Sequence, residues 1–249
     1  MNKQLEIYLS EIAEQLWKNR VSLFIGSGFS LNAISEEGVK SMPLWNDLGD
    51  MFFKKIYGRA PKFKDKAYVN VMRLADDVEN VFGRNALNEM ITDAISDNKR
   101  KPSDLYYTML SLPWTNIYTT NFDSLLERAA QELQMKGGSH YSLFVDEKSL
   151  PSIESPYIAK LHGDLNNPDG MIITEEDYRN YPNNHKVFIN EVKNAFMKNT
   201  IVVIGFSGDD PNFIQWLGWI RDNLGRVSRK VYLITISKMS IERIRTLEK

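Results

Sequence analysis

The sequence of 249 residues contains no cysteine. This absence excludes a disulfide scaffold, a thiolate nucleophile, a cysteine-ligated zinc and an iron–sulfur cluster. A run approaching the roughly 20 apolar residues of a membrane helix is also missing. Charged residues interrupt positions 1–20, where a signal peptide would have its apolar core. We therefore expect a cytoplasmic protein that spans no membrane.

An excess of charge of either sign is missing as well. Lys and Arg number 31 and Asp and Glu number 32, which gives a net charge of -1. No global basic field therefore favours nucleic acid as a partner. Local basic runs at residues 54–55, 62–66 and 98–101 are typical of solvated surfaces. The 43% hydrophobic and 25% charged content is that of a folded globular protein.

Short apolar runs typical of strands alternate with segments of helical spacing. The alternation predicts an α/β protein with a doubly wound, mostly parallel, Rossmann-like sheet. Residues 33–113 carry mainly helical patterns, which predicts a helical insertion beside the sheet. The last two strands are rich in β-branched residues, which favours central positions. The predicted strands are residues 21–25, 116–119, 157–161, 200–204 and 230–235.

Helical spacing predicts several helices between these strands. Gly83 is expected to break the predicted helix at residues 69–97. Ser103 is a candidate N-cap of the next helix. Residues 171–174 are predicted to be either a small strand or a loop. The C-terminal residues 240–249 read as a charged helix without a cap, so we expect the chain to be the N-terminal part of a longer protein. The other predicted helices are residues 5–16, 44–56, 69–97, 103–110, 123–133 and 212–223.

Small and polar residues follow the first and fourth long strands, where ligands of a parallel sheet bind. Gly26-Ser27-Gly28-Phe29-Ser30 follows the first strand and suits either close approach to a phosphate or a tight turn. It lacks the Gly-Lys-Ser/Thr ending of a P-loop and the third glycine of the dinucleotide fingerprint. Gly205 and Ser207 follow the fourth strand, and Asp209 or Asp210 either caps the next helix or contacts a ribose hydroxyl.

The other two strand ends carry side chains suited to acid–base chemistry. Asn121 and Asp123 lie two apart in Thr119-Thr-Asn-Phe-Asp123, so extended backbone points them the same way; the alternative is that Asp123 only caps a helix. His162 follows the third strand and suits proton transfer near neutral pH. His140 and His185 lie in polar stretches and are interpreted as solvated loop residues. The four strand ends converge on one predicted crevice.

Together, these four strand-end segments resemble the signature of the sirtuin superfamily, and Lys160-Leu-His-Gly163 is the third of them. The resemblance extends from about Val21 to Thr235 of this sequence. The resemblance is closest to the sirtuin-like NAD-hydrolase domains of bacterial anti-phage defence proteins. It implies a single domain over residues 1–249, with the insertion at roughly 33–113.

Three departures from that family separate this chain from the deacetylating sirtuins. Their four-cysteine zinc module is absent, and Ser41-Met-Pro-Leu-Trp45 has no Arg beside its aromatic residue. Thr120 stands where the family has the Gln of its Gln-Asn-x-Asp motif. These departures argue against removal of acyl groups from lysine.

The resemblance also implies residue roles. Asn121 would orient the nicotinamide ribose or the attacking water, and His162 would be the general base. Asp123 would contact the nicotinamide carboxamide. Gly26, Ser27, Gly28 and Ser30 would hold the pyrophosphate, and Gly205, Ser207 and Asp210 would line the adenosine side.

The implied function is hydrolysis of NAD to ADP-ribose and nicotinamide, without a metal, as the NAD-depleting effector of anti-phage defence. An unregulated NAD hydrolase would harm its host, so we expect a homo-oligomer and a regulatory or sensor domain or partner protein. The alternatives are a non-catalytic module that binds NAD or ADP-ribose, and a protein deacylase.

Overall fold

The computed structural model describes residues 3–66, 70–206, 210–225 and 228–235. Its central sheet has six strands in the spatial order fifth, sixth, fourth, first, seventh and eighth, and all neighbouring strands run parallel. The second and third strands form a separate antiparallel pair. The strands are β1 (Val21–Ile25), β2 (Ile34–Ser35), β3 (Arg100–Lys101), β4 (Ile117–Thr119), β5 (Ser142–Phe144), β6 (Tyr157–Lys160), β7 (Thr200–Ile204) and β8 (Val231–Ile234).

Helices cover both faces of the sheet, which confirms the predicted doubly wound, Rossmann-like α/β fold. The break at Gly83 is confirmed, with a φ of 87°. Ser103 occupies the N-cap position, although its side chain makes no capping hydrogen bond. The helices are α1 (Lys3–Trp17), α2 (Trp45–Tyr57), α3 (Phe63–Lys66), α4 (Val71–Phe82), α5 (Arg84–Ile95), α6 (Asp104–Leu110), α7 (Leu125–Met135), α8 (Glu175–Asn184), α9 (Lys186–Lys198) and α10 (Pro211–Leu224).

Alternate residues of β1 point into two separate hydrophobic cores. Leu23 and Ile25 pack with α2 and α4–α7, so these helices share one core with the sheet. Phe24 faces the other side and packs with α8, α9 and α10. All five residues of β1 are buried, as expected for the centre of a doubly covered sheet.

The topological switch point lies between β1 and β7. These strands pair over their full length, with Val21 opposite Thr200 and Ile25 opposite Ile204. The chain leaves β1 towards β4 and leaves β7 towards β8, so the two connections diverge. Such a divergence opens a crevice beyond the carboxyl ends of the strands.

Two features differ from the sequence-based expectation, and residues 171–174 form a buried loop, which was one of their two predicted alternatives. β8 is an edge strand of the sheet, not a central one, because strand order follows the crossovers and not the β-branched content. The short strand β5 and the helices α8 and α9 were not predicted, and α8 is a polar helix with Pro182 inside it. The predicted helix at 240–249 lies outside the described residues.

Within the described ranges, no helix is both long and apolar enough to cross a bilayer.

Candidate active site

A crevice opens at the switch point, beyond the carboxyl ends of β1, β4, β6 and β7. Including the part that opens to solvent, its volume is about 920 Å³. Gly28 does not line it, and Ser207 lies outside the described residues. The other predicted site residues all line it: Gly26, Ser27, Ser30, Asn121, Asp123, His162, Gly205 and Asp210.

Ser30 joins the polar side chains of two strand-end loops. Its hydroxyl donates to Asp123 Oδ2 at 2.7 Å and accepts from Asn121 Nδ2 at 2.9 Å. Asp123 Oδ1 also accepts from the Leu125 N–H at 3.2 Å, in the first turn of α7. Asp123 therefore supports the start of α7, whose N-cap residue is Ser124, and it also lines the crevice.

The amide of Asn121 has one orientation, set by the hydrogen bonds of its nitrogen. Its Nδ2 donates to the carbonyl oxygen of Gly26 at 3.1 Å as well as to Ser30. Because a carbonyl oxygen can only accept, this pairing fixes which end of the amide is nitrogen. Asn121 Oδ1 is buried and has no hydrogen-bond partner within the described part of the chain. Such an acceptor suits a water or hydroxyl of a ligand in the crevice.

The glycines after β1 allow two backbone segments to cross closely. A Cβ on Gly26 or Gly28 would lie 2.7 or 2.8 Å from the carbonyl oxygen of Gly205. The Gly28 N–H donates to that oxygen at 2.9 Å, and the Gly26 N–H donates to Ile204 O at the same distance. These two amides are therefore occupied by protein, as the tight-turn interpretation predicts.

His162 is buried at the end of β6, with 2% of its surface exposed. Its Nε2 lies 3.1 Å from Asn212 Nδ2, and its Nδ1 lies 3.9 Å from Asp210 Oδ2. Burial lowers the pKa of His162, and the nearby charge of Asp210 opposes that effect only in part. The imidazole is therefore neutral near neutral pH, the form in which it can accept a proton.

Asp210 connects His162 to two helices. Its Oδ1 accepts from the Phe213 N–H at 2.9 Å and caps α10, whose first residue is Pro211. Its Oδ2 lies 3.4 Å from the hydroxyl of Tyr178 on α8. The predicted N-cap role of Asp210 is confirmed, while Asp209 lies outside the described residues.

A buried ion pair lies next to the loop that carries Asn121 and Asp123. Lys160 is 1% exposed, and its Nζ lies 2.8 Å from Glu127 Oε1. The same ammonium donates to the carbonyl oxygen of Asp123 at 2.6 Å. Burial raises the pKa of Glu127 despite the opposing effect of Lys160. Lys160 thus connects the end of β6 to the turn that carries Asn121 and Asp123.

Sequence reasoning missed Tyr178, Asn212 and Lys160 as parts of the site. Tyr178 belongs to a helix that was not predicted, and a lysine inside an apolar strand was the available signal for Lys160. The interpretation of His185 as a solvated loop residue is wrong. Its ring stacks on Tyr181 at 4.6 Å, and its Nδ1 lies 3.4 Å from Glu147 Oε2. His140 is exposed, as expected.

The part of the chain between β2 and β3 provides an apolar wall to the crevice. Met42, Pro43 and Trp45 come from the segment that enters α2, and Leu48, Met72 and Ile95 come from α2, α4 and α5. A crevice with one apolar wall and a few convergent polar groups is typical of small-molecule sites. With its position at a topological switch point, it defines the class of open α/β proteins that bind ligands at the carboxyl edge of the sheet.

A model of the family described as SIR2-like domain matches residues 115–249, which is more than half of the sequence. The chain belongs to this family. The matched residues include Asn121, Asp123, His162, Gly205 and Asp210, while β1 and the helical insertion precede the matched region.

Two curated relatives and one solved structure are similar over most of the chain. Defense-associated sirtuin 2 of Bacillus subtilis is 26% identical over 86% of this chain and 20% of its own length. NAD(+) hydrolase ThsA of Acinetobacter baumannii (strain 532279) is 27% identical over 92% of this chain and 45% of its own length. The chain therefore spans less than half of either relative. A Sir2 homologue in complex with NAD has 12% identity and a TM-score of 0.49, covering 93% of this chain and 84% of that one.

Proposed function

We propose that this chain hydrolyses NAD to nicotinamide and ADP-ribose. The observation that carries the proposal is the buried Oδ1 of Asn121, which has no hydrogen-bond partner among the described residues, in a crevice that His162 also lines. Membership of the SIR2-like family and relatives named NAD(+) hydrolase support the choice of NAD as substrate.

The residue types suit cleavage of the nicotinamide–ribose bond. Nicotinamide leaves as a neutral molecule, so the ribose carbon passes through an oxocarbenium-like state. The apolar wall that includes Trp45 and Leu48 excludes bulk water, which favours a single positioned water as nucleophile. Asn121 Oδ1 accepts a hydrogen bond from that water or from a ribose hydroxyl. The water oxygen bonds to the ribose carbon, and neutral His162 takes up the released proton.

The remaining contacts of NAD follow the family resemblance. In this proposal Asp123 contacts the nicotinamide carboxamide, and Gly26, Ser27, Gly28 and Ser30 lie along the pyrophosphate. Gly205, Ser207 and Asp210 lie on the adenosine side. Because protein acceptors already occupy the Gly26 and Gly28 amides and the hydroxyl hydrogen of Ser30, the Ser27 hydroxyl is the side-chain donor that this loop would offer to phosphate.

We also propose the wider setting of this activity. The chain is a single sirtuin-like domain over residues 1–249, with a helical insertion at 33–113, and acts in the cytoplasm as an NAD-depleting effector of anti-phage defence. The names of the relatives from B. subtilis and A. baumannii support this role. A homo-oligomer and a regulatory partner or domain would keep the activity from harming the host.

The test is release of nicotinamide from NAD by the purified chain, alone and within any longer parent protein. Asn121→Ala and His162→Ala should each abolish turnover, whereas His140→Ala changes an exposed histidine and should leave it intact. Full activity in either crevice variant would show that the site is assigned wrongly. Binding of NAD without turnover by the triggered parent protein would replace the proposal with the non-catalytic regulatory module.

A further inference from the structure

We propose that Asn212 and Asp210 are positioning residues for His162. Asn212 sets which ring nitrogen carries the proton, and Asp210 stabilises the ring once both nitrogens are protonated. The use of His162 as a base rests on the proposed function, whereas the arrangement of the ring rests on geometry alone. Both positioning residues come from the start of α10.

Asn212 faces Nε2 of His162 in a dry environment. Asn212 is 3% exposed and His162 is 2% exposed, and their nitrogens are 3.1 Å apart. With Nδ2 of Asn212 as the donor, Nε2 holds the lone pair and the ring proton is on Nδ1. The same amide, turned by half a rotation, presents Oδ1 to an Nε2–H. One side chain therefore suits both the neutral and the protonated ring.

Asp210 faces the other ring nitrogen and cannot turn away easily. Its Oδ2 is 3.9 Å from Nδ1, too far for a hydrogen bond but close for a charge in a partly buried site. Its Oδ1 is held by the Phe213 N–H. This carboxylate therefore keeps its position while the charge of the ring changes.

The ring itself is held edge-on by two tyrosines of α8. The ring centroids of Tyr178 and Tyr181 lie 5.3 and 5.6 Å from that of His162. Tyr181 also donates to the carbonyl oxygen of Leu161 at 2.9 Å, which fixes the end of β6. The titratable and charged groups that face or act on the ring are Asp177, Tyr178, Tyr181, His185 and Asp210.

This arrangement gives a base two compatible properties. Burial keeps the resting ring neutral, and its Nε2 lone pair, which accepts from Asn212 at rest, becomes available to a proton when that amide turns. After proton uptake the ring has an N–H on both sides, and it faces a carboxylate at Nδ1 and an amide oxygen at Nε2. Both partners then stabilise the new charge where it forms, without reorganisation of the backbone.

Two near-isosteric substitutions test the proposal, and NMR titration of the imidazoles measures the result. Asp210→Asn removes the charge but keeps a good N-cap, and Asn212→Asp adds a charge at Nε2. We expect Asp210→Asn to lower the pKa of His162 and Asn212→Asp to raise it and to move the ring proton to Nε2. The chain has only three histidines, and the exposed His140 is the internal reference.

A matched control is Asp146→Asn, which changes another capping carboxylate on the exposed start of a short helix. It should leave the His162 titration as in the wild type. Shifts of opposite sign in the two test variants cannot arise from a general loss of stability. An unchanged His162 titration in both variants, or shifts in the same direction, would overturn the proposal.

The pH dependence of NAD turnover tests the link to catalysis. Activity that requires neutral His162 rises with pH through the pKa of this residue, so the rise should move to lower pH in Asp210→Asn and to higher pH in Asn212→Asp. The turnover rate of Asp210→Asn on the high-pH plateau should fall by about tenfold. This is a part of the roughly 100- to 10,000-fold rate increase that general acid–base catalysis provides. NMR shifts without any turnover in the wild type would refute the proposed function and leave the positioning roles standing.

Discussion

The hydroxyl of Ser30 donates to Asp123 Oδ2 at 2.7 Å, between residues 93 positions apart in the chain. Ser30 is 1% exposed and follows β1, whereas Asp123 follows β4. Since the same hydroxyl accepts from Asn121, it sets the direction of the amide, whose buried oxygen has no partner within the described ranges. The proposed chemistry of Asn121 therefore depends on a residue that need not touch the reacting atoms.

Ser30→Ala should lower NAD turnover by about tenfold or more, because Asn121 Nδ2 and Asp123 Oδ2 each lose a buried partner. The free energy of unfolding should fall by about 1–3 kcal/mol for the same reason. Steady-state kinetics and denaturant unfolding measure the two effects. Ser10→Ala, at an exposed serine on α1, is the control and should change neither. Wild-type kinetics in Ser30→Ala would argue against this role of the hydroxyl.

Gly205→Ala should destabilise the protein by more than about 2 kcal/mol. Gly205 has a φ of 75°, and a Cβ there would lie 2.4 Å from the backbone nitrogen of Phe29. The matched control is Gly218→Ala in α10, where, within the described residues and apart from the adjacent residues and the backbone of this helix, no atom lies within 4 Å of the added Cβ. That change should stabilise the protein by about 0.5–1 kcal/mol, since Ala is the better helix former. Urea unfolding of both variants checks the contrast, and equal effects would contradict it.

Lys160→Met should destabilise the protein by about 3–5 kcal/mol, because it leaves the buried carboxylate of Glu127 without its partner. Adding Glu127→Leu should recover most of that loss, since an apolar pair can replace a buried ion pair. Unfolding free energies of the two single variants and the double variant form the required cycle. Losses of the two single variants that simply add in the double variant would show that the coupling is absent.

Asp177→Asn should destabilise the protein near pH 7 by about 1–3 kcal/mol. Burial by itself would raise the pKa of Asp177, but N–H groups of Thr174 and Ile173 and the guanidinium of Arg84 outweigh it and lower that pKa. A lowered folded-state pKa gives stability above the unfolded value of about 3.9, and this stability is lost as pH falls through the folded value. Unfolding curves of both proteins should therefore converge below about pH 4. A constant difference across this range would contradict the assignment.

Five of the strands, β1, β4, β6, β7 and β8, and the strand-end motifs could be predicted because they depend on local patterns. The apolar run of β1 matches its prediction residue for residue, and the structure places Asn121 and His162 in one crevice. Neighbouring parallel strands end at the same edge of a sheet, so polar residues at those ends meet whatever the details of packing.

The polar helix α8 shows what local patterns leave out. It has one fully buried side chain, Tyr181, and its start is stabilised by hydrogen bonds between Thr174 and Asp177. Its contribution to the site, Tyr178, reaches the crevice because α8 packs against the end of β6. Hydrophobic periodicity cannot detect a helix whose position depends on capping and on contacts with distant residues.

The sequence by itself determined the class of fold, the exclusion of thiol chemistry, and the four segments that meet at the crevice. Only the tertiary structure decided that the buried Oδ1 of Asn121 has no partner among the described residues and that the glycines after β1 face Gly205. It also decided that His162 lies between Asn212 and Asp210. The physical reason is the separation along the chain over which each kind of interaction acts. Periodicity and turn chemistry act over a few residues, whereas hydrogen-bond partners, tautomers and pKa values depend on groups that the folded chain brings within about 4 Å.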